Sequence, residues 1–170
     1  MKKLLLLIFA ALSLTMTNDL TAQTMAAGAE TGPQIFTGFG GEFWYRIGGL
    51  YQYNINETHS VKAGIDFAVG NFNLVLINPE YRYAFEETFD GFYVGGFIKY
   101  GIVIESALDG GSYFGLGATG GYEVPISDSF ILDLNGQLGY ASLGYDFLGF
   151  GKINDGGLDF SFGAAGKFLF

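Results

Sequence analysis

Hydrophobic and polar positions alternate one for one along most of this chain. Over 61–69, Val61, Ala63, Ile65, Phe67 and Val69 share one parity, and Lys62, Gly64, Asp66 and Ala68 take the other. Over 75–85, Val75, Ile77, Tyr81, Tyr83 and Phe85 oppose Leu76, Asn78, Glu80, Arg82 and Ala84. Over 92–104, Phe92, Val94, Ile98, Tyr100, Ile102 and Ile104 oppose Tyr93, Phe97, Lys99 and Val103. The pattern continues in 114–126, with Phe114, Leu116, Tyr122 and Val124 against Thr119, Glu123 and three glycines, and in 130–140, with Leu132, Leu134 and Leu138 against Asp133, Asn135 and Gln137. It is cleanest at 158–170, where Leu158, Phe160, Phe162, Phe168 and Phe170 oppose Asp159, Ser161, Gly163 and Lys167.

A period of two is the signature of a strand whose faces meet different environments. Each segment reaches the ~9–11 residues that a tilted strand needs to cross a bilayer. Polar or Gly-rich connectors separate the segments at 56–59, 71–73, 87–91, 106–112, 127–129 and 146–157. No helix-period stretch lies between them, which excludes βαβ architectures and predicts a meander of antiparallel hairpins. Upstream, Ile35, Phe39, Phe43, Tyr45, Ile47, Tyr51, Tyr53 and Ile55 hold one parity over a span too long for a single strand of a small barrel. A break at 38–41 divides it into strands near 33–39 and 43–55, which brings the count to eight.

The N-terminus reads differently. Met1-Lys2-Lys3 is followed by an almost wholly apolar run from Leu4 to Leu14 and a polar exit at 15–19. A basic start, a short apolar core and small residues at the exit make a secretory signal peptide, and the run falls short of the ~20 residues of a membrane-spanning helix. Cleavage after Ala22 leaves Gln23 first; a cut after Ala29 is the alternative. The chain then divides into a leader at 1–22, a short segment at 23–32 and a strand domain at 33–170.

Composition narrows the class further. The chain has 170 residues, 28 Gly, 3 Pro and no Cys. The lack of Cys excludes disulfides, thiolate metal sites, a cysteine nucleophile and the lipidated cysteine of a lipoprotein. The net charge of −9 carries no electrostatic footprint for nucleic acid.

A soluble barrel also alternates, so the contents of the mixed face must decide. Arg46, Lys62, Arg82, Lys99 and Lys167 all fall on it, within strands, together with Asp66, Glu80, Glu123, Asp133 and Asp159. Glu42 and Glu105 stand nearer strand ends. Near-neutral charge inside strands is what a narrow filled lumen requires, because an unpaired buried charge is strongly destabilising. On the apolar parity, Tyr51, Tyr53, Tyr81, Tyr83, Phe85, Phe92, Tyr122, Phe130, Phe168 and Phe170 gather at one end of their strands, as in an aromatic girdle at a membrane interface. The prediction is an all-β, transmembrane, antiparallel up-and-down β-barrel of eight strands. Its girdle end carries the C-terminus and the shorter turns and faces the periplasm.

The final strand, with its alternating aromatics and terminal Phe170, and the segments Asn78-Pro-Glu-Tyr-Arg-Tyr83 and Gly91-Phe-Tyr-Val-Gly-Gly96 resemble the small outer-membrane barrels of OmpA and OmpX type. The resemblance covers about residues 33–170. It implies an outer-membrane location among phospholipid and lipopolysaccharide, a monomer, no cofactor, and Phe168 and Phe170 as the signal read by the outer-membrane insertion machinery. The connectors on the outer side are short, unlike the long loops of adhesive relatives, which argues against an adhesin.

Two motifs carry candidate chemistry. Gly115-Leu-Gly-Ala-Thr-Gly120 matches a dinucleotide fingerprint, but strand alternation runs straight through it where that motif requires a helix. His59, Ser60 and Glu57 are the residue types of a lipid A deacylase, yet neighbours on a strand point to opposite faces. No Asp-rich loop of the calcium kind is present. The leading expectation is a non-enzymatic envelope barrel with an ion-paired lumen. A lipid-modifying enzyme and a narrow channel are the alternatives. N-terminal sequencing of protein from outer-membrane fractions is expected to read Gln23 first; recovery from the soluble periplasm with Met1 retained would defeat the exported-barrel reading.

Overall fold

A computed structural model describes residues 25–104, 111–146 and 152–170. The predicted leader at 1–22, Gln23 and Glu105 lie outside the described residues. Eight strands follow in order: β1 Met25–Phe36, β2 Glu42–Asn54, β3 His59–Gly70, β4 Leu74–Ala84, β5 Gly91–Val103, β6 Ser112–Ser127, β7 Phe130–Asp146 and β8 Lys152–Leu169. Each pairs antiparallel with its neighbour, and β1 pairs with β8 to close the barrel. The break expected at 38–41 is a short 3-10 turn, Gly38–Gly40.

Two boundaries differ from those the sequence predicts. The first strand starts at Met25, not near 33, so the expected short segment at 23–32 is largely barrel wall. The cause is composition: Ala26 to Ala29 are small on both parities and give alternation no contrast. A cut after Ala29 would therefore remove part of the strand that closes the ring. The connector expected at 146–157 is also shorter, because Asp146 still pairs with Lys152 and the hairpin continues through Gly156 and Gly157. Glycines there mimic a loop in sequence.

Side chains sort by parity without exception along the central strands. Large apolar residues such as Ile65, Ile77, Ile98, Leu116, Leu138 and Phe162 face outward, while Arg46, Lys62, Arg82, Lys99 and Lys167 lie inside. This arrangement inverts that of a soluble barrel and suits a surface wetted by hydrocarbon. Outward aromatics gather at the end that carries both termini, with Phe92 on Tyr122 at 4.6 Å and Phe130 on Phe168 at 5.0 Å between ring centroids. Phe43, Tyr45 and Phe114 add aromatic surface toward the opposite end, giving the two girdles of a membrane barrel.

All three prolines sit at irregularities in the ladder, since proline has no N–H to donate. The β1–β8 pairing skips Gly32 and Pro33, the β4–β5 pairing skips Asn78 and Pro79, and β6–β7 shifts register between Pro125 and Ser127. The lipid-facing parity carries a measurable consequence. Ile65 is 63 % exposed at mid-strand, and Ile65→Arg is expected to cost about 2–4 kcal/mol in urea-dependent refolding into lipid vesicles. Ile65→Leu should be near neutral; equal tolerance of both would mean that this face meets water.

Candidate functional site

The lumen is layered along the barrel axis. At the end away from the termini, Phe36, Trp44, Phe72, Leu74, Leu76, Tyr113 and Leu143 form a buried apolar plug. Trp44 is its centre, edge-on to Phe72 and Tyr113 at 5.2 Å and 6.2 Å, and its indole N–H donates to the Phe72 carbonyl at 2.9 Å. Six of them share the inward parity at the ends of β1 and β7 and the starts of β2, β4 and β6, and Phe72 enters from the β3–β4 turn, so their side chains meet at one level.

Below the plug every predicted lumen residue is buried, and the ten form one connected network. Arg46 reaches Asp66 at 3.1 Å. Lys62 bridges Glu30 and Glu80, the latter at 3.0 Å. Arg82 holds three carboxylates: Glu80 at 2.8 Å, Asp133 at 2.8 Å and Glu123 at 3.1 Å. Lys167 shares Glu123 and Asp133 with it. Lys99 pairs with Asp159 at 2.9 Å and touches Ser161 at 3.2 Å. The Gln137 amide donates to Glu80 and its carbonyl accepts from Ser161, joining the Lys99 pair to the rest.

Sequence reasoning missed several members. Glu30 pairs with Arg46 at 3.5 Å and with Lys62, but it lies in the stretch read as a leading segment. Gln34 donates to Asp159 at 2.9 Å and Tyr113 at 3.0 Å; Gln52 accepts from Lys167 at 2.9 Å; the Tyr93 hydroxyl donates to Asp133 at 2.9 Å, and Arg82 stacks 4.2 Å over the Tyr93 ring. Inward parity marks every one of them, but Glu30 lies in a stretch without alternation and the others carry no charge. Among the described residues five cations meet six carboxylates in the lumen, with amide and hydroxyl donors supporting the excess acid.

The terminal end is closed by a residue no strand pattern foretells. Phe89, in the β4–β5 turn, is buried against Ala26 and Ile131. Its backbone N–H donates to Glu123 at 2.8 Å and its ring lies 5.6 Å below the Lys167 ammonium. Phe89 adopts φ 74, a left-handed backbone that costs a non-glycine residue and is held by these contacts.

The remaining candidates separate. His59 is on the outer surface, where Nδ1 bonds the Tyr81 hydroxyl at 2.6 Å; Ser60 faces the lumen and accepts from Gln52 at 3.2 Å. The two cannot act as base and nucleophile from opposite faces of one wall. The glycines of 115–120 lie within β6, and a side chain at inward Gly117 would strike the backbone of Leu138 and Gly139. They let β6 and β7 fill a crowded interior. Phe168 and Phe170 both face outward, and the Phe170 N–H reaches the Met25 carbonyl at 3.0 Å across the closing seam.

The chain matches, over residues 8–156, the family described as a protein of unknown function, DUF3575. It belongs to that family. No curated protein sequence matches this DUF3575 chain. Among solved structures it is similar to Neisserial surface protein A at 15% identity, with a TM-score of 0.61 covering 86% of this chain and 97% of that one. It is also similar to the outer membrane protein OprG of Pseudomonas aeruginosa, at 8% identity and TM-score 0.54 over 89% and 99% of the two chains. AlkL, an outer membrane protein solved in DMPC bilayers, aligns at 12% identity and TM-score 0.53 over 91% and 97%. The shared property is the closed eight-stranded fold of outer-membrane barrels.

The network makes Arg82 the cation whose loss strips the most partners. Arg82→Ala is expected to destabilise the barrel by about 3–5 kcal/mol, as removal of one member of a buried ion group does. Pairing Arg82→Met with Asp133→Asn should recover part of that loss in a double-mutant cycle read by urea refolding. Strict additivity would show that the two side chains are not coupled.

Proposed function

We propose that this chain is a non-enzymatic structural barrel of the bacterial outer membrane, exported with its leader removed, that serves the envelope through its lipid-facing wall and short outer turns. The observation that carries this reading is the filled lumen. The Trp44 plug, the Arg82 network and the Phe89 stopper occupy successive levels of the axis in an eight-stranded ring with little room to begin with. A solute path would require several buried ion pairs to part together, each at several kcal/mol. Such a wall adds a rigid, ion-locked cylinder to the membrane. Its natural contacts are phospholipid, lipopolysaccharide and, during insertion, the assembly machinery that engages the strand ending in Phe168 and Phe170.

The placement of His59 outside and Ser60 inside supports the absence of a hydrolytic centre at that pair. The same placement favours no second reading. Proteoliposomes carrying the barrel are expected to swell in small sugars no faster than protein-free vesicles, and porin-like rates would refute the plug. Lipid A from cells expressing the wild type and a His59→Ala, Ser60→Ala variant should have identical acyl chains by mass spectrometry; an acyl change that depends on those residues would establish an enzyme.

A further inference from the structure

The outer wall is not uniform. Between β3 and β6 it holds an apolar groove of about 540 Å³, lined by Val61, Pro79, Tyr81, Gly96, Ile98 and Leu116 among others. It exists because two outward positions at its floor carry little side chain. Pro79 sits where the β4–β5 ladder is interrupted, and Gly96 faces outward with only the Gly117 carbonyl, at 3.5 Å, near the place a Cβ would occupy. The volume falls within the range of specific small-molecule sites. In a membrane barrel a groove at strand mid-height faces acyl chains, not water.

One edge of the groove leads to polar groups. Tyr81 and Val61 pair directly across β3 and β4, and the next outward position toward the termini is His59. His59 stacks on Tyr81 at 5.8 Å and lies 5.2 Å from Tyr83. In the tautomer whose Nδ1 accepts from the Tyr81 hydroxyl, the imidazole carries its proton on Nε2, a donor suited to a phosphate oxygen at headgroup depth. Just beyond it lies an acidic rim. Exposed Glu57, Glu86 and Glu87 sit on two turns tied together by the Thr88 N–H to the Glu57 carbonyl, at 2.6 Å, and the Ala84 N–H to the Thr58 carbonyl, at 2.7 Å.

From these features we infer that the β3–β6 face binds one glycerophospholipid of the leaflet at the terminal end, with an ammonium-bearing headgroup. An acyl chain lies in the groove over Pro79 and Gly96, the phosphate meets His59 Nε2, and the ammonium meets the Glu57, Glu86 and Glu87 rim. The same rim repels an anionic headgroup, so the site discriminates phosphatidylethanolamine from phosphatidylglycerol by charge. A shallow apolar surface alone would give no such preference. The inference rests on the membrane reading above and adds a defined ligand class to it.

The test is native mass spectrometry of the full barrel released from vesicles of equal phosphatidylethanolamine and phosphatidylglycerol. One phosphatidylethanolamine is expected to stay bound in preference to phosphatidylglycerol. Gly96→Leu, which fills the groove from a position where an added Cβ meets only the Gly117 carbonyl at ordinary contact distance, should lower retention by about tenfold, equivalent to about 1.4 kcal/mol. His59→Ala should lower retention of both lipids, since both carry the phosphate, and Glu57→Gln with Glu86→Gln and Glu87→Gln should reduce the headgroup preference, while the barrel still inserts in each case. A heat-shifted band on unheated gels reports insertion separately, so a failed membrane reading is distinguished from a failed site. Should Gly96→Leu give no folded band, Val61→Phe fills the groove from its other wall. Equal retention of the two lipids by the wild type, or retention unchanged in the folded groove-filled variants, would overturn the proposal.

Discussion

A chain that closes on itself in hydrocarbon has to satisfy every backbone group within its own wall and turn its apolar side chains outward. The interior that remains in an eight-stranded ring admits side chains and little else. Charges placed there must find partners or they cost several kcal/mol each. Arg82 answers that requirement most fully, since its guanidinium fork meets Glu80, Asp133 and Glu123 at once and presents its face to Tyr93. Arginine suits this position where lysine would not, because a planar fork serves several carboxylates in fixed directions.

The ion network also explains the shape of the rest. Apolar residues on the inward parity collect at the end away from the termini, where Trp44, Phe36 and Tyr113 pack ring against ring. That leaves the middle and terminal levels to charge. The division keeps water away from one side of the network, and Phe89 shields the other. Within such shielding the hydrogen bonds are strengthened by the low dielectric, as any orphaned group would be penalised by it.

Much of this was legible in the sequence because strand parity maps a linear pattern onto two faces without ambiguity. The ten charged lumen residues read from the sequence are all buried, since a charge on the lipid-shunning parity of a spanning strand has nowhere else to go. The eight strands follow for the same reason. The parts that escaped notice lacked contrast or period. Residues 26–29 are small on both faces, which hid the start of β1 and the role of Glu30 just beyond it. Trp44 and Leu76 were inward apolar residues in a face read for its charges. Their concentration at one end of successive strands was the available sign. Phe89 obeys no strand rule; it enters the lumen from a turn, and only three-dimensional proximity to Glu123 and Lys167 reveals it.

The closing seam shows how register and charge support one another. The β1–β8 ladder is interrupted at Gly32 and Pro33, so backbone pairing alone defines the final register less firmly there. Side chains cross the same seam and neighbouring walls: Gln34 on β1 meets Asp159 on β8, while Lys167 on β8 reaches Gln52 on β2 and the acids of β6 and β7. A slip of one residue would turn Lys167 and Asp159 into lipid. A slip of two would keep them inside but carry Lys167 away from Glu123 and Asp159 away from Lys99. Only one closure pairs all of these groups, and the network thereby selects the register of the β1–β8 seam.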